Sequence, residues 1–268
     1  MIKIHKHTTS SFCKINTKCI AVPKMNQFFR NKRVLVTGAA NGIGRGITQR
    51  LVGLGSTVLA LDISAEQLKP LQKQFPSLEP VQVDLSDWSA TKKAVKSLYP
   101  IDLCVNNAGV AICENMLQVS EQSYDKSFNV NAKAVFNVSQ AVIENLISRN
   151  SPGSIVNISS KASKAALPDL SVYCATKGAV DGLTRALAME FGPKKIRINS
   201  VNPTIVMTDL GKQAWHDVNK REPMLAKIPL ERFADVEDVV DAVIFLLSDK
   251  SSMITGSCLP VDGGFLAC

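Results

Sequence analysis

The sequence predicts an α/β fold: a single parallel sheet of about seven strands, doubly wound, with helices on both faces. Three observations support this. Short apolar runs alternate with helical patterns from residue 33 onward, and that alternation calls for parallel strands joined by crossover helices. A glycine-rich loop directly follows the first apolar run. Of the 268 residues, 46% are hydrophobic, enough for one globular domain with a sizeable core.

Residues 1–24 contain Lys3, Lys6, Lys14, Lys18 and Lys24 and no acidic residue. They read as an N-terminal extension outside the fold, with the domain spanning 25–268. A basic, acid-poor stretch suits a mitochondrial import segment, whereas the lack of arginine suits an upstream start with Met25 as the alternative initiator.

The first strand, 33–37, runs into Thr37-Gly38-Ala39-Ala40-Asn41-Gly42-Ile43-Gly44. Glycines at this spacing let the backbone turn tightly and approach a pyrophosphate at the following helix N-terminus. A turn without a ligand is the plainer reading, but a strand before and a helix after favour the nucleotide. The second strand, 56–61, leads to Asp62, 24 residues after Gly38. A carboxylate there accepts hydrogen bonds from ribose hydroxyls and repels a 2′-phosphate; otherwise it caps the helix starting near Ser64. The third strand, 79–83, precedes Asp84, which either meets the adenine edge or forms a turn. The fourth, 101–106, ends at Asn106.

The segment 121–148 reads as a long helix with apolar and small residues on several sides, part of it suited to a subunit interface. The fifth strand, 153–159, is a buried run that delivers Ser160 to a ligand crevice at its carboxyl end. Next, the helix at 171–191 carries Tyr173 and Lys177 one turn apart, so both side chains leave one face. An ammonium beside a phenol favours the phenolate and lowers its pKa from about 10, toward the working range of a general acid or base. After the sixth strand, 196–202, the stretch 207–232 breaks the rhythm, is interrupted by Pro223 and Pro229, and reads as a lid or substrate loop. A helix at 235–248 and a seventh strand at 257–261 complete the pattern.

Composition narrows the function. The formal charge is +8, and five of the lysines lie in the first 24 residues, so the remainder carries no nucleic-acid footprint. No apolar run approaches the roughly 20 residues of a membrane span, so no membrane partner is expected. Seven scattered cysteines without a Cys-x-x-Cys pair suit reduced thiols in an intracellular, cytoplasmic setting, or a mitochondrial one if residues 1–24 are a transit segment. They offer no zinc site. Beyond the extension, His216 is the only histidine, which argues against a Ser-His-Asp hydrolase.

Taken together, the glycine motif at 37–44, Asn106-Asn107-Ala108-Gly109, Asn131, Ser160 and Tyr173-x-x-x-Lys177 resemble the short-chain dehydrogenase/reductases from Met25 onward. The resemblance implies a Rossmann-type sheet and hydride transfer between a nicotinamide cofactor and a small carbonyl or secondary alcohol. It makes Tyr173 the proton donor or acceptor and Ser160 the group that polarises the substrate oxygen. Lys177 would bind the nicotinamide ribose and depress the tyrosine pKa, and Asn131 would hold a water of the proton relay. Gly38, Asn41, Gly42, Ile43, Gly44, Asp62 and Asp84 fall on cofactor-binding positions, as do Asn106, Ala108, Gly109, Val206 and Thr208, together with Tyr173 and Lys177. Substrate contacts fall on Ser160, Tyr173 and Trp215.

Within that family, Val201–Thr208, Gly256–Phe265, Thr204, Trp215 and the terminal Ala267-Cys268 are similar to the L-xylulose (dicarbonyl) reductase subgroup. That similarity implies a homotetramer that reduces small sugars and α-dicarbonyls with NADPH. Four replacements, at five positions, depart from the subgroup: Lys161 replaces a glutamine, Leu170 a histidine, Asp62-Ile63 a Ser-Arg pair and Asn41 a lysine. The last two favour NAD(H), with NADP(H) as the alternative. A 3-oxoacyl-thioester or steroid-type dehydrogenase is a second reading, and a nucleotide-bound scaffold or sensor a third. Met224 either lines the pocket with Trp215 or packs the lid. His216 reads as an exposed loop residue, and Cys268 as a frayed end or a contact across a subunit boundary.

Overall fold

The structure, a computed structural model, describes residues 25–268; the expectations for residues 1–24 fall outside the described residues. A short helix α1 (Met25–Phe29) precedes β1 (Arg33–Thr37), α2 (Gly42–Gly53), β2 (Thr57–Asp62), α3 (Ala65–Gln74) and β3 (Glu79–Gln82). Then come α4 (Trp88–Ser97), β4 (Leu103–Asn106), α5 (Glu121–Phe128), α6 (Ala134–Ser148), β5 (Gly153–Ile158) and α7 (Ser171–Phe191). The chain closes with β6 (Ile196–Pro203), α8 (Asp209–Ala214), α9 (Val218–Leu225), α10 (Val236–Leu247) and β7 (Cys258–Val261).

The seven strands form one parallel sheet in the order β3-β2-β1-β4-β5-β6-β7. Alternate residues of a strand point to opposite faces, and both faces are packed. Val34 and Val36 of β1 join Ile47 and Leu51 of α2 and Val239, Val240 and Val243 of α10. Leu35, between them, joins Val95 of α4, Val138 and Val142 of α6 and Leu187 of α7. The continuous Val/Leu/Ile runs that marked the strands in the sequence are this two-sided burial. The winding reverses between β1 and β4, which opens a crevice at their carboxyl ends.

The structure corrects the sequence expectation in two places. The long helix anticipated over 121–148 is divided: between α5 and α6 a π turn runs from Asn129 to Lys133. The Asn131 side chain leaves the helix there for partners outside it, and the extra residue accommodates that departure. The anticipated loop 207–232 contains α8 and α9, whose ends are capped. Thr208 Oγ1 accepts the Gly211 N–H at 3.1 Å, and Asp217 Oδ1 accepts that of Asn219 at 3.0 Å. No helix among the described residues is long and apolar enough to cross a membrane.

Candidate active site

A cavity of about 1120 Å³ occupies the crevice. Gly38, Asn41, Gly42, Ile43, Asp62, Asp84, Ala108, Gly109 and Thr208 all line it. The β1–α2 loop and the loop after β4 close on one another. Thr37 Oγ1 accepts the N–H groups of Asn107 at 3.0 Å and Ala108 at 3.1 Å, and Asn107 Nδ2 donates to the carbonyls of Thr37 and Gly38, both at 3.0 Å. Side chains at the glycines would destroy this approach: a Cβ on Gly44 would lie 2.0 Å from the Gly38 carbonyl oxygen, and one on Gly38 2.9 Å from Ala108 Cα. The N-terminus of α2 therefore stays bare and presents its N–H groups to the cavity, which fits a dinucleotide pyrophosphate.

Asp62 sits at the far wall, buried. Its Oδ2 accepts the Ala40 N–H at 3.0 Å and its Oδ1 that of Ser64 at 3.1 Å. Ser64, not Asp62, caps α3. The carboxylate bridges the glycine loop and β2 while still lining the cavity. Asp84 Oδ1 accepts from the Ser86 N–H at 2.9 Å and its hydroxyl at 2.8 Å, so it forms the anticipated turn and lines the cavity as well. Gly44, Asn106 and Val206 lie off the cavity wall, as do Asn131, Ser160, Tyr173 and Lys177. Asn106 is buried behind the crevice and donates to Ser139 Oγ at 2.9 Å and Asn157 Oδ1 at 2.8 Å. Val206 bridges to Ala234 and packs on the core.

Ser160 follows β5, and Tyr173 and Lys177 project from α7. The Lys177 ammonium is buried and donates to the Ile158 carbonyl at 2.8 Å. It lies 5.6 Å from the centre of the Tyr173 ring. Gly109 makes room for it, since a Cβ there would meet Lys177 Nζ at 3.5 Å and Asn131 Oδ1 at 3.3 Å. Burial pushes Lys177 down to about 8, opposed by Asp181 one turn along the helix. The Tyr173 phenol differs from the sequence expectation. Burial raises its pKa, and the opposing influence is the nearby Ser160 hydroxyl rather than the charge of Lys177. The lysine's hydrogen bond to Ile158 turns its charge toward the sheet, and a buried cation is itself disfavoured. The phenol therefore carries its proton at neutral pH and is suited to giving it to a carbonyl oxygen.

Asn131 is fully buried, with both amide hydrogens placed and its oxygen accepting one hydrogen bond. Oδ1 accepts the Val110 N–H at 2.8 Å, and Nδ2 donates to the Val110 carbonyl at 2.8 Å and to Thr176 Oγ1 at 3.1 Å. The amide is a brace between the π turn, the loop after β4 and α7.

Trp215 stacks edge-on against Phe233 at 5.3 Å, with Lys220 Nζ 5.0 Å from its ring. It is part of the lid's own packing and lies off the cavity wall. His216 and Cys268 are exposed, and Met224 meets Lys161. Sequence reasoning assigned no role to Asn107, which locks the loops, or to Asn202. The Asn202 amide donates to Asp181 Oδ2 at 2.9 Å, to Ser163 Oγ at 3.0 Å and to the Ser160 carbonyl at 3.2 Å. The hints were their positions inside quoted motifs, Asn107 in Asn-Asn-Ala-Gly and Asn202 in Val201–Thr208.

Residues 38–266 match a family model described as enoyl-(acyl carrier protein) reductase. The chain belongs to the short-chain dehydrogenase/reductase family and is an NAD(P)-dependent oxidoreductase that interconverts carbonyl and alcohol groups. It is 52% identical to L-xylulose reductase of Homo sapiens over 244 residues, covering 91% of this chain and all of that one. It is 51% identical to D-erythrulose reductase of Gallus gallus over 238 residues, 89% of this chain and 97% of the relative. Among solved structures it resembles a gluconate 5-dehydrogenase from Burkholderia cenocepacia in complex with NADP and tartrate, at a TM-score of 0.85 and 29% identity. That match covers 91% of this chain and 99% of the other.

Proposed function

We propose that the chain reduces a small polyhydroxy or dicarbonyl substrate and that Ser160, Tyr173, Lys177 and Asn131 carry the chemistry. The observation that carries this reading is the placing of Ser160 at the end of β5 and of Tyr173 and Lys177 one turn apart on α7, with the buried Lys177 ammonium 5.6 Å from the centre of the Tyr173 ring. When bound, the nicotinamide supplies the hydride for the substrate carbon. Tyr173 gives its proton to the carbonyl oxygen, and the Ser160 hydroxyl donates a hydrogen bond to that oxygen as negative charge develops. Lys177 holds the ribose hydroxyls and replenishes the proton. Asn131 keeps the π turn in register behind it. Gly38 through Gly44, with Ala108, Gly109 and Thr208, cradle the nucleotide.

The preferred cofactor in this reading is NAD(H). The Asp62 carboxylate lines the cavity, and its neighbours along the lining are Asn41, Ile63 and Gln67, none of them cationic. The carbonyl reductase [NADPH] 2 of Sus scrofa, 46% identical over 243 residues, is a relative named for the other cofactor, so in this reading the present chain departs from that relative. A homotetramer in the cytoplasm completes the reading. Phe136 and Ile147 on α6 and Met189 on α7 leave large apolar side chains exposed for subunit packing. Steady-state assays with NADH and NADPH over xylulose, erythrulose, diacetyl, acyl thioesters and steroids test substrate and cofactor together. Tyr173→Phe should retain NADH binding, followed by fluorescence, and lose about 10²- to 10⁴-fold in turnover; undiminished turnover overturns the assignment.

A further inference from the structure

Lys161, the residue after Ser160, is 1% exposed, yet among the described residues no carboxylate forms an ion pair with it. Its Nζ lies 3.3 Å from the centre of the Phe265 ring and donates to Met224 Sδ at 3.7 Å. A π face and a thioether compensate a buried ammonium only in part, because a charge removed from water needs an opposite charge to balance it. Nearby, Lys227 opposes the ammonium and Asp262 favours it. Asp262 is already committed, its two oxygens accepting the N–H groups of Gly264 and Leu266, each at 3.0 Å. Two lysines thus meet one occupied carboxylate where the Ser160 turn, the lid helix α9 and the C-terminal segment converge. Lys161 follows Ser160 directly in the chain, so it stands at the turn that would hold a substrate carbonyl, its ammonium covered by Phe265 and Met224.

We propose that Lys161 is a specificity residue whose ammonium receives a carboxylate on the carbonyl substrate, so that short oxo-acids are reduced in preference to uncharged carbonyls of the same shape. This rests on the reading of Ser160 and Tyr173 as the groups that hold and protonate the carbonyl oxygen. The carboxylate takes no part in bond making. Hydride and proton convert C=O to CH–OH as before, and Lys161 fixes the far end of the molecule. The glutamine expected here from the subgroup resemblance supplies an amide, which cannot balance an anion.

The preference should depend on pH. Burial pushes Lys161 down to about 8, with Asp262 at the end of β7 opposing that shift and Lys227 after α9 adding to it. The charge that selects a carboxylate is therefore present at neutral pH and lost as the pH rises through about 8. Taking the ratio of two substrates at each pH cancels the titration of Tyr173 and Lys177, which both substrates share.

The test compares kcat/KM for acetoacetate with its neutral isostere acetoacetamide, and for levulinate with its amide, in the full-length enzyme. The wild type should favour the acid in at least one pair, and Lys161→Gln and Lys161→Met should each lower that acid-to-amide ratio by roughly tenfold or more, as for loss of a charge-assisted hydrogen bond. The proposal is overturned if the wild type reduces both amides as well as the acids, or if both folded variants keep the wild-type ratio. Melting curves establish which variants fold, and if neither does, the wild-type ratio and its decline above about pH 8 decide the matter. Failure of the underlying reading looks different, since Tyr173→Phe would then match the wild type on acids and amides alike.

Discussion

At the scale of single residues, the Lys177 ammonium and the Tyr173 phenol pull their protons in opposite directions from what their neighbourhood in the sequence suggests. Burial lowers Lys177 to about 8 and raises Tyr173. Reductive kcat/KM, which reports the free enzyme, should stay level through neutral pH and fall as Lys177 loses its proton above about 8. Asp181 is the group that holds this value up, so Asp181→Asn should move the falling limb to lower pH in the same profile. The cofactor argument belongs to this scale too. Replacing Asp62-Ile63 by Ser-Arg removes the carboxylate facing the ribose and adds a cation, and should shift the NADH-to-NADPH ratio of kcat/KM toward NADPH. An unchanged ratio rejects the role given to Asp62. Ser160, Tyr173 and Lys177 were legible in the sequence because fixed spacing on one strand end and one helix brings them together. The direction of the tyrosine shift was not, because it depends on burial created by elements far along the chain.

At the scale of elements, the π turn between α5 and α6 shows why a helix can be read correctly and its break missed. An inserted residue barely disturbs apolar periodicity over 121–148, whereas the cause of the break lies in Val110 and Thr176, 21 and 45 residues away. Asn131→Ala should leave the half-buried Val110 N–H and C=O groups without their side-chain partners, at a cost of up to about 1 kcal/mol for each. Calorimetry should show a lower Tm, and kcat should fall as the turn loses its brace. Asn131→Asp, which keeps the acceptor but not the donor, should lie between wild type and alanine. The lid is a second case: Pro223 and Pro229 suggested a loop, yet Thr208 and Asp217 cap α8 and α9, with Pro223 inside α9 and Pro229 beyond its end.

At the scale of the whole molecule, nearly all of the strand order and the two-sided core was legible, because parallel strands covered on both faces must be written in uninterrupted apolar residues. The clamps between loops were hidden. Thr37 and Asn107 stand 70 residues apart, and nothing local marks them as partners. The functional crevice belongs to this scale, since neither of its walls contains it alone. The middle of the sheet is filled out of chain order: β1 takes its second neighbour only when β4 arrives. During synthesis, a nascent chain that has released its first three strands from the ribosome still has an open edge on β1 and only half a nucleotide pocket. A nucleotide can therefore meet both walls of the crevice, and add its binding energy to folding, only after residue 109 has emerged.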